Sequence, residues 1–395
     1  MDPYYWGGDA KDEDVLEWIN IEELSNDYQI DLSDVGIGIL DSGLDPYVWR
    51  YMLDQTPSWG GHIKFVDVSR KWRWWPPGYY YEYKIEDSPY GDTMASDDYG
   101  HGTTTTYTMW NVLKSVVSNS PHNIYVFDIN YDDGTRAMHL RKEIGALKWI
   151  FNHNGGSETS DDIEIVSMSY GGYSSNSEEE TWIEKVSTQT VCTFFAASGN
   201  DDLNEVAYPA KYDETIAIGA HVDDYDGYTT DGLHISDFDI GHRVTKTISD
   251  IYGHYPIWGS NYGDNLDFVA PGFDVEVLLP TASYSGSPPD RDGDPHYEPA
   301  VIDGTSYACP IAAAIGAIAA HARCPADDTG PATFLLYSFL EDSAELIEEY
   351  VQTVLIHKVP HPTIRGDHLH EHCSTLGWGG LDAYDAYLRA KGVDY

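Results

Sequence analysis

The chain has 395 residues, 42% of them hydrophobic, with 66 acidic against 22 basic side chains and a formal net charge of −44. The length suits one large α/β domain with insertions or two ordinary domains, and the charge argues against nucleic acid or an anionic membrane as partner, because phosphate binding needs Lys and Arg. Self-repulsion on this scale is relieved by concentrated salt, where the Debye length falls to roughly 3 Å, so the composition predicts a protein of an extreme halophile.

The first residues, MDPYYWGGDAKDED, have no basic start, twin arginine or apolar segment of a signal sequence. They predict a cytoplasmic protein or a component of a virus particle of a halophilic host, with a secreted mature form as the alternative. No run of about 18 apolar residues occurs, so no membrane-spanning helix is expected. VGIGIL (35–40) is a short apolar run of the buried parallel type and predicts a strand. It leads into Asp41 within ILDSGLDP. An acid, a small residue and a glycine at a strand end open two chemistries. One is a pair of aspartates that share a proton; the other is an aspartate that orients a histidine toward a serine.

IKFVDV (63–68) predicts a second strand. In RKWRWWPPGYYYEYKIED (70–87), Pro-Pro-Gly separates two aromatic stretches of alternating pattern, which predicts a hairpin and a candidate contact surface. GHGTTTTYTMWNVLKSVVS (100–118) predicts a helix entered through glycine, with His101 at its start. NIYVFDIN (123–130) predicts a strand and RAMHLRKEIGALKWIFNH (136–153) an amphipathic helix. IEIVSMSY (163–170) and TVCTFFAASGN (190–200) predict strands around a helix near 177–187, and the polar stretch 221–259 a surface excursion. GTSYACPIAAAIGAIAAHA (304–322) is apolar almost all round, which predicts a buried helix with Ser306 at its start. Strands that alternate with helices predict an α/β fold: a doubly wound, mostly parallel sheet with helices on both faces. The expected organisation is one domain over 1–395, with insertions at about 69–96 and 221–259 and a C-terminal extension at about 340–395.

The four cysteines (Cys192, Cys309, Cys324, Cys373) show no metal-ribbon spacing and read as free thiols. His357, His361, His368, His370, His372 and Cys373 form a separate cluster, and the alternating histidines of DHLHEHC would share one face of a strand. That pattern reads either as a metal site or as a solvated loop.

For Asp41 no second Asp-[Ser/Thr]-Gly stands in strand context, and VIDGTS (301–306) has the letters in another order. His101 and Ser306 are both available at helix starts, where unpaired N–H groups and positive potential gather. With these residues the chain resembles the subtilisin-like serine proteases, the subtilases (peptidase S8). The order Asp41, His101, Ser306 is similar to that family's, and ILDSGLDP, GHGT and GTSYACP resemble its aspartate, histidine and serine motifs. VSMSYGG resembles the segment that binds extended substrate and FAASGND the oxyanion asparagine motif. YPAKYDETIAIGA (208–220), SNYGDNLDFVAPG (260–272) and GWGGLDAYDAYL (377–388) resemble further signatures.

The resemblance implies a serine endopeptidase acting on peptide or protein substrates. It implies Ser306 as nucleophile, His101 as general base and then acid, and Asp41 as the residue that orients the imidazole. Asn200 and the Ser306 N–H would form the oxyanion hole. Ser169, Tyr170 and Gly171 would pair with substrate as an added strand, and Ala196, Ala197 and Ser198 would wall the specificity pocket. No cofactor is required for that chemistry. Structural calcium is common in the family, although no loop here shows a calcium-ligand pattern. Three departures stand out: Thr104 replaces the usual second histidine, Tyr307 a methionine and Cys309 an alanine. The altered continuation after GHGT and the aromatic hairpin motivate an alternative reading, a non-catalytic scaffold or a virion or assembly component on the same fold.

Overall fold

The apolar runs pair side by side into one eight-stranded sheet. A computed structural model describes residues 15–16, 19–88, 97, 99–130, 138–155, 161–221, 258–273, 275–281, 296–323 and 380–391. The strands are β1 (Gly36–Asp41), β2 (Ile63–Trp74), β3 (Pro77–Glu86), β4 (Asn123–Asp128), β5 (Ile163–Met168), β6 (Thr193–Ala197), β7 (Thr215–His221) and β8 (Phe268–Pro271). Their order is β8-β7-β6-β5-β1-β4-β2-β3. Every neighbouring pair is parallel except β2 with β3. A separate antiparallel ribbon joins β9 (Val275–Pro280) to β10 (Tyr297–Ile302).

The helices are α1 (Ile21–Asp27), α2 (Pro46–Gln55), α3 (His101–Val116), α4 (Leu140–His153), α5 (Ser177–Gln189), α6 (Thr305–Arg323) and α7 (Ala383–Ala390). Side chains alternate across a strand, and β6 shows the consequence. Phe195 and Ala197 face the core that holds α3 and α6, whereas Phe194 and Ala196 face the core that holds α4 and α5. α6 is the one described helix long and apolar enough to cross a membrane, and 83% of that stretch is buried inside the protein. Gly316 allows it to lie close to the sheet, since a Cβ there would fall 2.5 Å from the Phe195 ring.

β1 is buried along its whole length between β5 and β4. Chain progress reverses direction across the sheet at this strand, and the crevice beyond its carboxyl end is where an open α/β sheet places a ligand. Asp41 ends β1 and therefore stands in that crevice.

The aromatic hairpin grows directly out of a core strand. β2 runs unbroken from IKFVDV into it, because alternation continues with no breaker before Pro76. The strand pairs with β4 at its start and with β3 along nearly its whole length. At the hairpin tip Trp74 is 84% and Trp75 89% exposed, while its base packs on α4, where the Tyr83 hydroxyl donates to the Gly145 carbonyl at 3.0 Å. Sequence patterning did not anticipate α1, α2, β7, β8 or the β9–β10 ribbon. Cys192 and Cys309 are free, buried thiols. Most of the 221–259 excursion, the His357–Cys373 cluster, Cys324 and most of the C-terminal extension lie outside the described residues.

Buried acids make stability depend on pH, and Asp97 is among them, pushed up to about 6 by its burial. Burial pushes Asp45 up to about 6, and Asp128 and Asp267 to about 7, even though each accepts backbone hydrogen bonds. Folded, they hold protons that the unfolded chain releases near pH 4, so stability falls as pH rises through that interval. The unfolding free energy at fixed salt is expected to be larger at pH 5.5 than at pH 8 by about 1 kcal/mol or more. Denaturant titrations at the two pH values measure it, and equal stabilities would contradict the burial argument.

Candidate active site

Asp41 is fully buried, and three donors hold its carboxylate. Oδ1 accepts from the Ser42 N–H at 2.8 Å and lies 2.8 Å from His101 Nδ1, and Oδ2 accepts from Thr105 Oγ1 at 3.0 Å. Because a carboxylate only accepts, the proton of the neutral imidazole belongs on Nδ1, which leaves Nε2 as the basic nitrogen. Burial lowers the His101 pKa, but the charge and hydrogen bond of Asp41, with the charge of Asp97 behind them, outweigh that and raise it above the ordinary value.

His101 opens α3, and the helix can start there only because of its neighbours. Gly100 caps it at φ 88. A Cβ on Gly102 would lie 2.4 Å from the Gly43 carbonyl oxygen, so a glycine lets α3 touch the turn after β1. Asp97 ties the approach together: Oδ1 accepts from Ser42 Oγ at 2.8 Å, from Tyr99 N at 3.0 Å and from Gly100 N at 2.7 Å, and Oδ2 from Thr103 N at 2.7 Å. The Ser42 hydroxyl in turn accepts from the Gly102 N–H at 2.8 Å.

Ser306 lies in the first turn of α6, where its own N–H has no helical carbonyl partner. Ahead of it, the Thr305 N–H and hydroxyl both donate to Asn200 Oδ1 at 2.9 Å. Those two donors identify the oxygen of the Asn200 amide and leave its Nδ2 as a donor beside Ser306. Asn261, fully buried, steadies the loop from the other side. Its Oδ1 accepts from Asp201 N at 3.0 Å and Leu203 N at 3.1 Å, and its Nδ2 donates to the Tyr173 hydroxyl at 2.8 Å.

Two cavities meet along residues 169–172. One, of about 180 Å³, is lined by Ser306, Asn200, Ala197 and Gly199; the other, of about 500 Å³, by His101, Tyr99, Glu143 and Glu179. Ser169, Tyr170 and Gly171 line both. Ser306 Oγ donates to the Ser169 carbonyl at 3.0 Å and makes no hydrogen bond to His101. No hairpin residue is among those that line either cavity.

Of the three expected wall residues, only Ala197 reaches a cavity. Ala196 faces the opposite core because strand residues alternate, and Ser198 is buried with its hydroxyl on the Asn261 carbonyl at 3.2 Å. Two of the unusual residues meet each other: Thr104 Oγ1 lies 3.3 Å from the Tyr307 hydroxyl, so the threonine and the tyrosine fill the region together. Cys309 sits against β5, 3.5 Å from Ser167 Oγ. Among the described residues no three His, Cys, Asp or Glu side chains gather as a metal site would require.

A family model described as the subtilase family matches residues 33–369. Alkaline elastase YaB of Bacillus sp. (strain YaB) is 25% identical over 229 residues, which cover 58% of this chain and 47% of that protein. Subtilisin BL of Lederbergia lenta is 25% identical over 231 residues, covering 58% of this chain and 65% of that protein. The chain thus spans about half to just under two thirds of the length of these curated relatives. Among solved structures, a protease from Pseudoalteromonas arctica PAMC 21717 superposes with a TM-score of 0.56 at 17% identity, covering 98% of this chain and 100% of that one. The prenylagaramide maturation protease PagA does so with a TM-score of 0.52 at 15% identity, covering 95% of this chain and 99% of that one. At these identities the structural matches speak for the fold: a mostly parallel central sheet flanked by helices.

Proposed function

The chain belongs to the subtilase family, and from that premise we propose that it is a serine endopeptidase that cleaves peptide bonds through an acyl-enzyme, in concentrated salt. His101 Nε2 takes the proton of Ser306 Oγ as that oxygen attacks the scissile carbonyl carbon. Asp41 keeps the imidazole in the Nδ1–H tautomer and stabilises the imidazolium. The tetrahedral oxyanion receives hydrogen bonds from Asn200 Nδ2 and the Ser306 N–H. Collapse expels the amine, which collects its proton from His101, and water releases the acyl group by the same proton path.

The observation that carries this reading is the 2.8 Å contact between His101 Nδ1 and Asp41, which leaves Nε2 basic in a cleft that also contains Ser306 and Asn200. The Ser306 hydroxyl donates to the Ser169 carbonyl. Rotation about its Cα–Cβ bond, as substrate pairs along Ser169–Gly171, is the step that turns it toward His101; such contacts commonly tighten only once substrate is bound. The same resting contact is compatible with a non-catalytic scaffold, the second reading. The formal charge of −44 supports work at molar salt, and the exposed hairpin tryptophans support a contact surface for another protein.

A fluorophosphonate probe in molar KCl separates the two readings. The wild type should be labelled covalently and Ser306→Ala should not. Failure of the wild type to label under conditions where it is folded would leave the scaffold reading. The acid limb of kcat/KM follows from His101: only the neutral ring accepts a proton, and its pKa is raised. The midpoint should therefore lie above about 6.5, the ordinary histidine value, in pH–rate profiles of a peptide substrate. A midpoint below that value would contradict the Asp41 contact as its cause.

A further inference from the structure

The larger cavity beside His101 ends on two acids that the proposed chemistry does not use. Glu143, from the first turn of α4, is 3% exposed, and Glu179, from the first turn of α5, is 5% exposed; both line the cavity. Glu143 Oε1 and the Tyr170 hydroxyl meet no partner at strict hydrogen-bond geometry among the described residues, while the Glu143 carboxyl lies against both the Glu179 carboxyl and that hydroxyl. Glu179 Oε2 accepts from the Tyr212 hydroxyl at 2.8 Å. Of the α4 lysines, Lys148 is turned to Glu178 at 2.9 Å and Lys142 lies 3.8 Å from Asp128. Helix starts favour acids, but two enclosed carboxyls in contact cannot both ionise without a cation to offset them, so one of the pair keeps its proton. Burial first, and the charge of Glu179 after it, hold the Glu143 carboxyl well above the usual carboxylate range.

Around these acids the lining mixes apolar and aromatic side chains, Tyr99, Met138, Leu140, Tyr208 and Pro209, with the polar His101, Ser174 and Asn176. A long aliphatic stem with a cationic end matches both parts, since such side chains lay their stems on apolar surface and carry the charge at the tip. A bare metal ion matches less well, because among the described residues no third His, Cys, Asp or Glu joins the two acids. We propose that this cavity is a specificity subsite for a lysine or arginine side chain of the substrate, with Glu143, Glu179 and the Tyr170 hydroxyl receiving its cationic head. The assignment rests on the protease reading for its substrate, and places that side chain on the part of the peptide that pairs with Ser169–Gly171.

The test uses fluorogenic peptides that carry Arg, Lys, norleucine or Glu at each position in turn on the amino side of the cleaved bond. At one position Arg or Lys should raise kcat/KM by about 10–100-fold over norleucine, the range expected for hydrogen bonds to a charged group. In Glu143→Gln and Glu179→Gln, which preserve shape, that ratio should fall to near one; circular dichroism checks that each is folded. Molar salt should leave most of the preference in place, because buried pairs are little screened. The same peptides are also titrated against Ser306→Ala by fluorescence anisotropy, so that binding is read without turnover. Cleavage with no basic preference at any position, or a preference that survives in both glutamine variants, overturns the subsite and leaves the protease reading intact. Tighter binding of the basic peptide that depends on Glu143, in a protein that never cleaves, supports the subsite and overturns the protease reading.

Discussion

Alanine at Ser306 is expected to lower kcat/KM on a peptide substrate by about 10⁴–10⁶-fold, alanine at His101 by a similar factor, and the double variant no further than the worse of the two. In the proposed relay the two side chains act as one unit: a hydroxyl without a base is a poor nucleophile, and a base without the hydroxyl has no proton to take. Once either is gone, the other contributes almost nothing to lose. Residual turnover then reports the oxyanion donors and substrate positioning alone. Asp41→Asn extends the argument, because an amide can donate where the carboxylate only accepts, and the contact with His101 Nδ1 then favours the wrong tautomer. Its expected loss is about 10⁴-fold with the fold retained. Active-site titration alongside the kinetics excludes contaminating protease. If the two single losses multiplied in the double variant, Ser306 and His101 would be acting independently and the relay would be wrong.

Legibility in the sequence followed chemistry that is local. Apolar runs such as VGIGIL and TFFAA need no partner to be recognised as buried strands, and they stand in the structure as β1 and β6. Asp41, His101 and Ser306 each lie at an element end that the pattern marks, so their neighbourhood could be read from motifs scattered along the chain. Groups whose meaning depends on contact between distant segments stayed hidden. Asp97 looks like one acid among 66 until it is seen to tie Ser42 to the start of α3. Asn261 reads as a loop residue, although it clamps the turn that carries Asn200. Glu143 sits on a helix whose pattern marks it as an ordinary polar position, and only the fold turns it into a buried acid facing a cavity. The expected wall at 196–198 reduces to Ala197, because its strand neighbour Ala196 faces the other side and Ser198, just past the strand, turns its hydroxyl to the Asn261 carbonyl.

Asn200→Ala is expected to lower kcat by about 10²–10³-fold with little change in KM, because its amide would meet the oxyanion only after the carbonyl carbon has become tetrahedral. The same side chain has a second task, since its Oδ1 accepts from both the N–H and the hydroxyl of Thr305 at the start of α6. Alanine therefore also leaves two donors without their partner and should lower the melting temperature. Asn200→Asp separates the two tasks. It keeps an acceptor for Thr305, and its charge lies near a helix start, where acids are favoured, so stability should be largely preserved. It removes the amide donor and sets a negative charge beside the developing oxyanion, so its kcat should fall further than that of alanine. Melting curves and single-turnover rates on the two variants read the tasks independently: alanine should be the less stable protein and aspartate the slower one. A full-speed Asn200→Ala enzyme would move the oxyanion contact to other donors and leave Asn200 as an anchor for the Ser306 helix alone.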